Sequence, residues 1–299
     1  MRVPLRRQRQ MCIRDSLKAS DELRRFSPRR AEHGMMAAMN TSIEQSGAED
    51  GCGFTGTKLA AAIARQVHNP DPFVTWVNGD SRLDLSGKTL CTWVAKTVTL
   101  MTDEGIGRGD RVALDAVTQH PGHWIAPIWF MSSWWAGWHV LLGDEPDGEP
   151  DALVTGPRQD LAPCHRTSAA QMPASTLVQC SLKPWGGPCD DLAPAAIDHA
   201  DCMAMPDALP PADADPHLVL GAATQPPGAG EPSTHDTAPI GDRVLLAHPT
   251  DVQVAWVTAR CLVGGGSLVL IDSVEDDTTS TDPTCHDTAV REHARVIAR

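Results

Sequence analysis

A pattern that occurs twice limits what this chain can fold into more than any other feature. Residues 109–144 read GDRVALDAVTQHPGHWIAPIWFMSSWWAGWHVLLGD, and residues 241–272 read GDRVLLAHPTDVQVAWVTARCLVGGGSLVLID. In each, a Gly-Asp turn leads into an apolar run. An amphipathic segment follows, then a small-residue stop (Ala136-Gly137; Gly264-Gly265-Gly266) and a second short apolar run ending in Asp. Four to six apolar residues on either side of a helix-period segment predict strand, helix, strand, with strands buried on both faces as parallel sheets require. The fold class predicted is α/β, built from two related layered α/β subdomains.

The 299 residues, 41% of them hydrophobic, can supply a sizeable core. Charge becomes informative once it is split. Residues 1–30 hold ten Arg/Lys against three Asp/Glu, whereas residues 31–299 hold 15 against 35, a net of −20. A body that acidic repels phosphate backbones and anionic lipid, which argues against nucleic acid and membrane as partners. No apolar run approaches the ~18 residues of a membrane span, and no apolar h-region follows the Arg-rich start. A cytoplasmic protein is expected. Nine cysteines without a CxxC pair fit free thiols in a reducing compartment.

Taken in order, residues 1–50 are expected to be disordered. Within them RQRQMCIRDS, at 7–16, resembles a translated sequencing-adapter remnant, which would make Met35, Met36 or Met39 the true start. A first subdomain is expected over 51–205, a Pro-rich linker or loop over 206–240, with eight prolines between Pro206 and Pro239, and a partial second subdomain over 241–299. In the first subdomain, Leu59, Ile63 and Val67 make the stripe of a helix over 57–68. A hairpin follows: 73–77 and 82–85 as antiparallel strands around Asn78-Gly79-Asp80. Ser86 is read as the N-cap of a helix over 89–102, closed by Gly105. In the first repeat the helical face is Trp124, Ile128, Met131 and Trp135, with Pro127 tolerable only in the first turn. The five tryptophans between Trp124 and Trp138 are read as core packing. Strands are expected at 152–156 and 176–182, a turn at 183–187, and a closing helix marked by Val290, Ala294 and Ile297.

The hairpin, the helix TLCTWVAKTVTLMTDEGIGRGDRVAL and the later GDRV...GGGSLVLID together resemble the N-terminal region of adenylate-forming enzymes. That is the AMP-binding superfamily of acyl-CoA synthetases, luciferases and peptide-synthetase adenylation domains. Its G-x-G-D-R-V-A-L signature is matched by Gly107, Gly109, Asp110, Arg111, Val112, Ala113 and Leu114. The segments Leu85 to Thr97 and Ser181 to Gly186 are more similar to a short stand-alone group of this superfamily. The resemblance spans about residues 57–299. It implies a phosphate loop, Y-T-S-G-T-T-G-x-P-K-G, in which Gly backbone, hydroxyls and a Lys cradle ATP. At that place stands LVLGAATQPPGAGEPSTH, 218–235, where Thr224, Gly228 and Gly230 are the remnants that would touch a nucleotide. Glu231 stands where a Lys is wanted, and Pro226 and Pro227 remove two N–H donors. The resemblance places the ribose-holding acid, the adenine-site motif and the catalytic Lys beyond Arg299, so a complete adenylation cycle is not expected. ATP or AMP is the cofactor class that the remnants would still admit.

Other constellations carry less. GCGFTGTK at 51–58 lacks the Gly-Lys-Ser/Thr order of a P-loop, has no strand before it, and is read as the start of a helix. Cys180, Cys189, His199 and Cys202 hold zinc-ligand atoms at spacings that make no knuckle, so no metal is expected. His120 and His123 are read as lying in a solvated strand-to-helix loop. Asp110 and Asp242, each followed by Arg, are read as turn caps with salt bridges, and no nucleophile elbow occurs. Three functions stay open. The first is a catalytically silent adenylation-like protein that acts through a protein partner or self-association. The second is a residual nucleotide or acyl-adenylate binder, and the third is a fragment of an AMP-binding ligase.

Overall fold

The computed structural model describes residues 54–142, 149–157, 176–215, 219–220, 238–272 and 283–297. The expectations for residues 1–50 and for Thr224, Gly228 and Gly230 lie outside the described residues.

The chain begins with β1 (Phe54–Thr55) and α1 (Gly56–Gln66). Helix α1 is started by Thr55, whose side chain accepts from the Lys58 amide, and it buries Leu59 and Ile63. The reading of GCGFTGTK as a helix start holds, although a two-residue strand does precede the helix. Strands β2 (Pro72–Asn78) and β3 (Ser81–Ser86) form the expected antiparallel hairpin, with Asn78 opposite Ser81. Ser86 caps α2 (Gly87–Asp103) by accepting from the Thr89 amide at 3.1 Å.

The first repeat then forms β4 (Arg111–Ala113), a short α3 (Asp115–Gln119), α4 (Ile125–Ala136) and β5 (His139–Leu141), with β4 and β5 paired in parallel. Strands β6 (Ala152–Thr155), β7 (Thr176–Gln179) and β8 (Ile197–Asp198) extend that sheet in parallel to the order β5-β4-β6-β7-β8. A 3-10 turn, His199–Ala204, follows, and β9 (Val219–Leu220) pairs antiparallel with β1. The second repeat forms β10 (Arg243–Ala247), α5 (Asp251–Gly264) and β11 (Ser267–Ile271), again with its two strands parallel. The chain closes with α6 (Pro283–Arg291) and β12 (Arg295–Val296).

The two repeats match in detail. Each helix ends on a glycine in the left-handed region, Gly137 at φ 71° and Gly265 at φ 80°, a conformation that a side chain would resist. In each, the carbonyl of the turn aspartate accepts from the first amide of the second strand: Asp110 from His139, and Asp242 from Ser267. The repeats lie in different sheets, as two related subdomains require. Sheet membership nevertheless cuts across the order of the chain, because the early hairpin joins the second repeat in the order β12-β10-β11-β2-β3. Val74 lies opposite Leu268 in that sheet and Val77 opposite Ile271.

Helix α4 is the centre of the core. All twelve of its residues are buried, and it packs on α1, α2 and α5. The expected one-sided stripe Trp124, Ile128, Met131, Trp135 is therefore corrected. A helix enclosed on every side needs no polar face, and none is present. Pro127 is its third residue, inside the first turn, where no intrahelical N–H bond is lost. All five tryptophans from Trp124 to Trp138 are buried. The second face of the mixed sheet is covered as well, by a smaller cluster of Leu245, Val269, Ile271 and Ala289 with Val296 against it.

The closing helix is also corrected. It stops at Arg291, His293 turns the chain at φ 50°, and Arg295–Val296 pair with β10 instead of continuing the helix. Without β12, β10 would be the edge strand and leave backbone groups unpaired; Glu292, just before β12, is drawn to Arg82 at 2.6 Å and Arg243 at 3.0 Å. Ala289 faces the sheet in place of Val290, which is 62% exposed.

Candidate functional site

A continuous group of aromatic and titratable side chains runs along the carboxyl edge of the mixed sheet, where open parallel sheets place their ligands. It begins at Asp272, directly after β11. The Asp272 carboxylate accepts from Trp76 Nε1 of β2 at 3.3 Å. Burial raises its pKa above the ordinary carboxylate value, against the opposing pull of that indole N–H and of His120 and His248. Gly122 packs so closely here that a Cβ would lie 2.9 Å from the Ile271 carbonyl and 3.1 Å from the Asp272 Cα. His248, at the end of β10, adopts φ 47°.

Trp76 meets His123 edge-on, with ring centroids 5.1 Å apart. His123 corrects the expectation of a solvated loop, since it is 2% exposed. Its Nδ1 accepts from the Ile125 amide at 3.3 Å, so Nε2 carries the proton and donates to the Leu182 carbonyl at 3.1 Å. Desolvation, with His120 adding to it, pushes its pKa down to about 3 in spite of the Leu182 carbonyl, so the ring is neutral. His199, in the 3-10 turn, is buried between Trp93 and Trp129 and hydrogen-bonds Thr97 Oγ1 at 3.0 Å. Burial pushes its pKa down to about 4. The spacing of His120 and His123 gave no sign of this. The clue lay in the ring of tryptophans around them, which leaves no water to solvate a charge.

Between these rings lies a cavity of about 10 Å³, lined by Trp93, His123, Trp124, Leu182, Gly186 and His199 among others. It holds no more than a single water. The Trp124 Nε1–H beside it has no hydrogen-bond partner among the described residues. The turn at 183–187 closes over it as expected, with the Gly186 amide donating to the Lys183 carbonyl at 3.0 Å. Trp185 at its tip is 74% exposed.

The other constellations resolve simply. Asp110 Oδ2 accepts from the Gly107 amide at 2.7 Å and so caps its turn, while Asp242 faces Arg295 at 3.8 Å. Cys180, Cys189 and Cys202 are free thiols, and burial raises the pKa of each. No group of three or more His, Cys, Asp or Glu among the described residues is arranged to hold a metal. No helix among them is long and apolar enough to cross a membrane.

Thr224, Gly228 and Gly230 have no described geometry, but the strand that precedes them, β9, is placed. Between Lys183 and Arg243 the chain has no Lys or Arg and ten Asp or Glu. Among the described cations that meet this stretch, Lys96 is paired with Asp207, Arg108 faces both Asp213 and Asp215, and Arg260 Nε donates to the Ala238 carbonyl at 2.8 Å.

Two sheets flanked by helices in this order make the fold of the N-terminal part of adenylate-forming enzymes. Comparison with solved structures gives the particular relatives. The chain is similar to an acyl-CoA synthetase from Brucella canis (14% identity, TM-score 0.55, 80% of this chain and 46% of that one). It is similar also to an acetoacetyl-CoA synthetase from Streptomyces lividans (17%, TM-score 0.51, 79% and 41%). A luciferase-like enzyme from the mealworm Zophobas morio matches at 10% identity and TM-score 0.54, over 83% and 59%. By sequence, a Mycobacterium tuberculosis protein whose description names only a numbered family is 33% identical over 155 residues, which is 50% of this chain and 60% of that protein. The chain thus spans about half the length of the synthetases and three-fifths of the curated relative. No protein-family model matches it.

Proposed function

We propose that this chain is a non-catalytic protein with the adenylation fold, which works by association with a protein partner or with itself and does not activate carboxylates with ATP. One observation carries the reading: the 59-residue stretch that holds the phosphate-loop position has no Lys or Arg and ten carboxylates. A triphosphate needs both counter-charge and amide donors. Here Glu231 replaces the cation, and Pro226, Pro227 and Pro232 withhold three N–H groups. ATP–pyrophosphate exchange by the purified protein, with a panel of aliphatic, aromatic and amino acids, is expected to stay at the blank rate. Exchange that depends on one acid would overturn the proposal.

A second reading is favoured by the carboxyl-edge group. Asp272, with its raised pKa, stands beside His120 and His248 where α/β sheets bind small ligands. On that reading the chain keeps an acyl-adenylate or AMP site without turnover. Calorimetry with AMP and a non-hydrolysable acyl-adenylate analogue separates the two, because the first reading predicts no heat and the second a saturable one.

A further inference from the structure

The stretch expected to be a Pro-rich linker or loop, 206–240, is described over residues 206–215, where with Met205 it forms a strap fastened to the core. It has no regular secondary structure. At its start Lys96 Nζ donates to the Met203 and Met205 carbonyls, at 3.2 and 2.7 Å, and pairs with Asp207 at 2.7 Å. In its middle Trp135 Nε1 donates to the Pro210 carbonyl at 3.0 Å, and the Asp213 amide donates to the Trp135 carbonyl at 3.0 Å. At its end Arg108 lies 3.6 Å from both Asp213 and Asp215, and His139 lies 3.8 Å from Asp215.

The core is shaped to receive this strap. A Cβ on Gly56 would lie 2.3 Å from the Asp215 carbonyl oxygen, and one on Gly137 would lie 2.4 Å from that of Asp213. Two glycines far apart in sequence thus make room for one passing segment. Apolar attachment is slight, since only Leu209 and Ala214 of the strap pack against the core, each partly buried. The fastening is therefore polar: the charged contacts of Lys96 and Arg108 at its two ends, and two neutral hydrogen bonds to Trp135 between them. Arg108 is about half exposed, so its pairs are screened by salt, unlike the buried sheets.

We infer that residues 205–215 are a charge-held latch, which opens as a unit when its ion pairs are weakened while the α/β core stays folded. Its opening uncovers the Trp135 edge and the glycine-lined track.

Amide hydrogen exchange of the full chain in 0.05 M and 1 M sodium chloride tests the latch. The Debye length falls from beyond 10 Å to about 3 Å over that range. Strap amides, Asp213 above all, are expected to exchange about tenfold faster at high salt, with those of α4, β10 and β11 unchanged. Arg108→Gln with Lys96→Met is expected to exchange fast at low salt already. Gly56→Ala is the steric control: Gly56 opens α1, where alanine favours the helix, so only its clash with Asp215 opposes it. That variant is expected to lose strap protection at any salt. Strap protection that ignores salt and the paired Arg108→Gln and Lys96→Met substitutions, or strap and core exchanging together, would overturn the inference.

Discussion

His123 and His199 show how an imidazole can be held neutral by its surroundings. Each is enclosed by tryptophan, and desolvation holds them at about 3 and about 4. In the unfolded chain both titrate near the ordinary value of about 6.5. The folded pKa lies below the unfolded one, so the unfolded state takes up protons first as pH falls. Their contribution is fully present above about pH 6.5 and declines from there toward pH 4. Asp272 has the opposite sign: its folded pKa is raised, so it favours the fold as pH drops through that raised value, an offset confined to one group. Urea midpoints measured at pH 7.5, 6 and 4.5 are expected to fall steadily. An unchanged midpoint from pH 7.5 to 5 would show that the rings are charged in the fold. A close His pair after a strand reads as a loop in sequence, and only the folded position of Trp76 and Leu182 makes His123 a core residue.

Elements were legible where one local rule decided them. Gly79 after a short apolar run gave the hairpin, Ser86 gave the start of α2, and the two GDRV patterns gave two parallel strand–helix–strand units. They were not legible where tertiary packing decided. Helix α4 has no polar face because α1, α2 and α5 enclose it, and α6 ends early because β10 takes Arg295 and Val296 as a new edge. That edge depends on Glu292, 5% exposed in its side chain, held between Arg243 and Arg82. The same network continues to Asp84, which bonds Thr75 and Arg82; those contacts outweigh its burial and hold its carboxyl below the ordinary value. Replacing Glu292 by Gln leaves two guanidinium groups facing each other without their shared anion. The cost is expected to be about 1–3 kcal/mol, reduced from the fully buried case because Arg82 is nearly half exposed. Urea denaturation measures it, and an unchanged midpoint would mean that α6 and β12 are held by the apolar cluster alone.

For the whole molecule, the α/β class and the pairing of two related units could be read from the chain, but the way they share strands could not. Nothing between Asn78 and Arg243 marks the early hairpin as the neighbour of β11. That contact joins segments almost two hundred residues apart, and no local pattern encodes such a separation. The Pro-rich stretch was legible as a linker or loop, but proline content alone does not reveal that Lys96 and Arg108 fasten residues 205–215. What composition did convey is that residues 184–242 are acidic and hold no Lys or Arg. The central claim is that an adenylation fold has given up its grip on triphosphate. Isothermal titration of the full chain with ATP and magnesium at low ionic strength, where any remaining attraction is strongest, tests it most directly. The account predicts no saturable heat up to millimolar nucleotide; a one-site isotherm with a micromolar dissociation constant would contradict it.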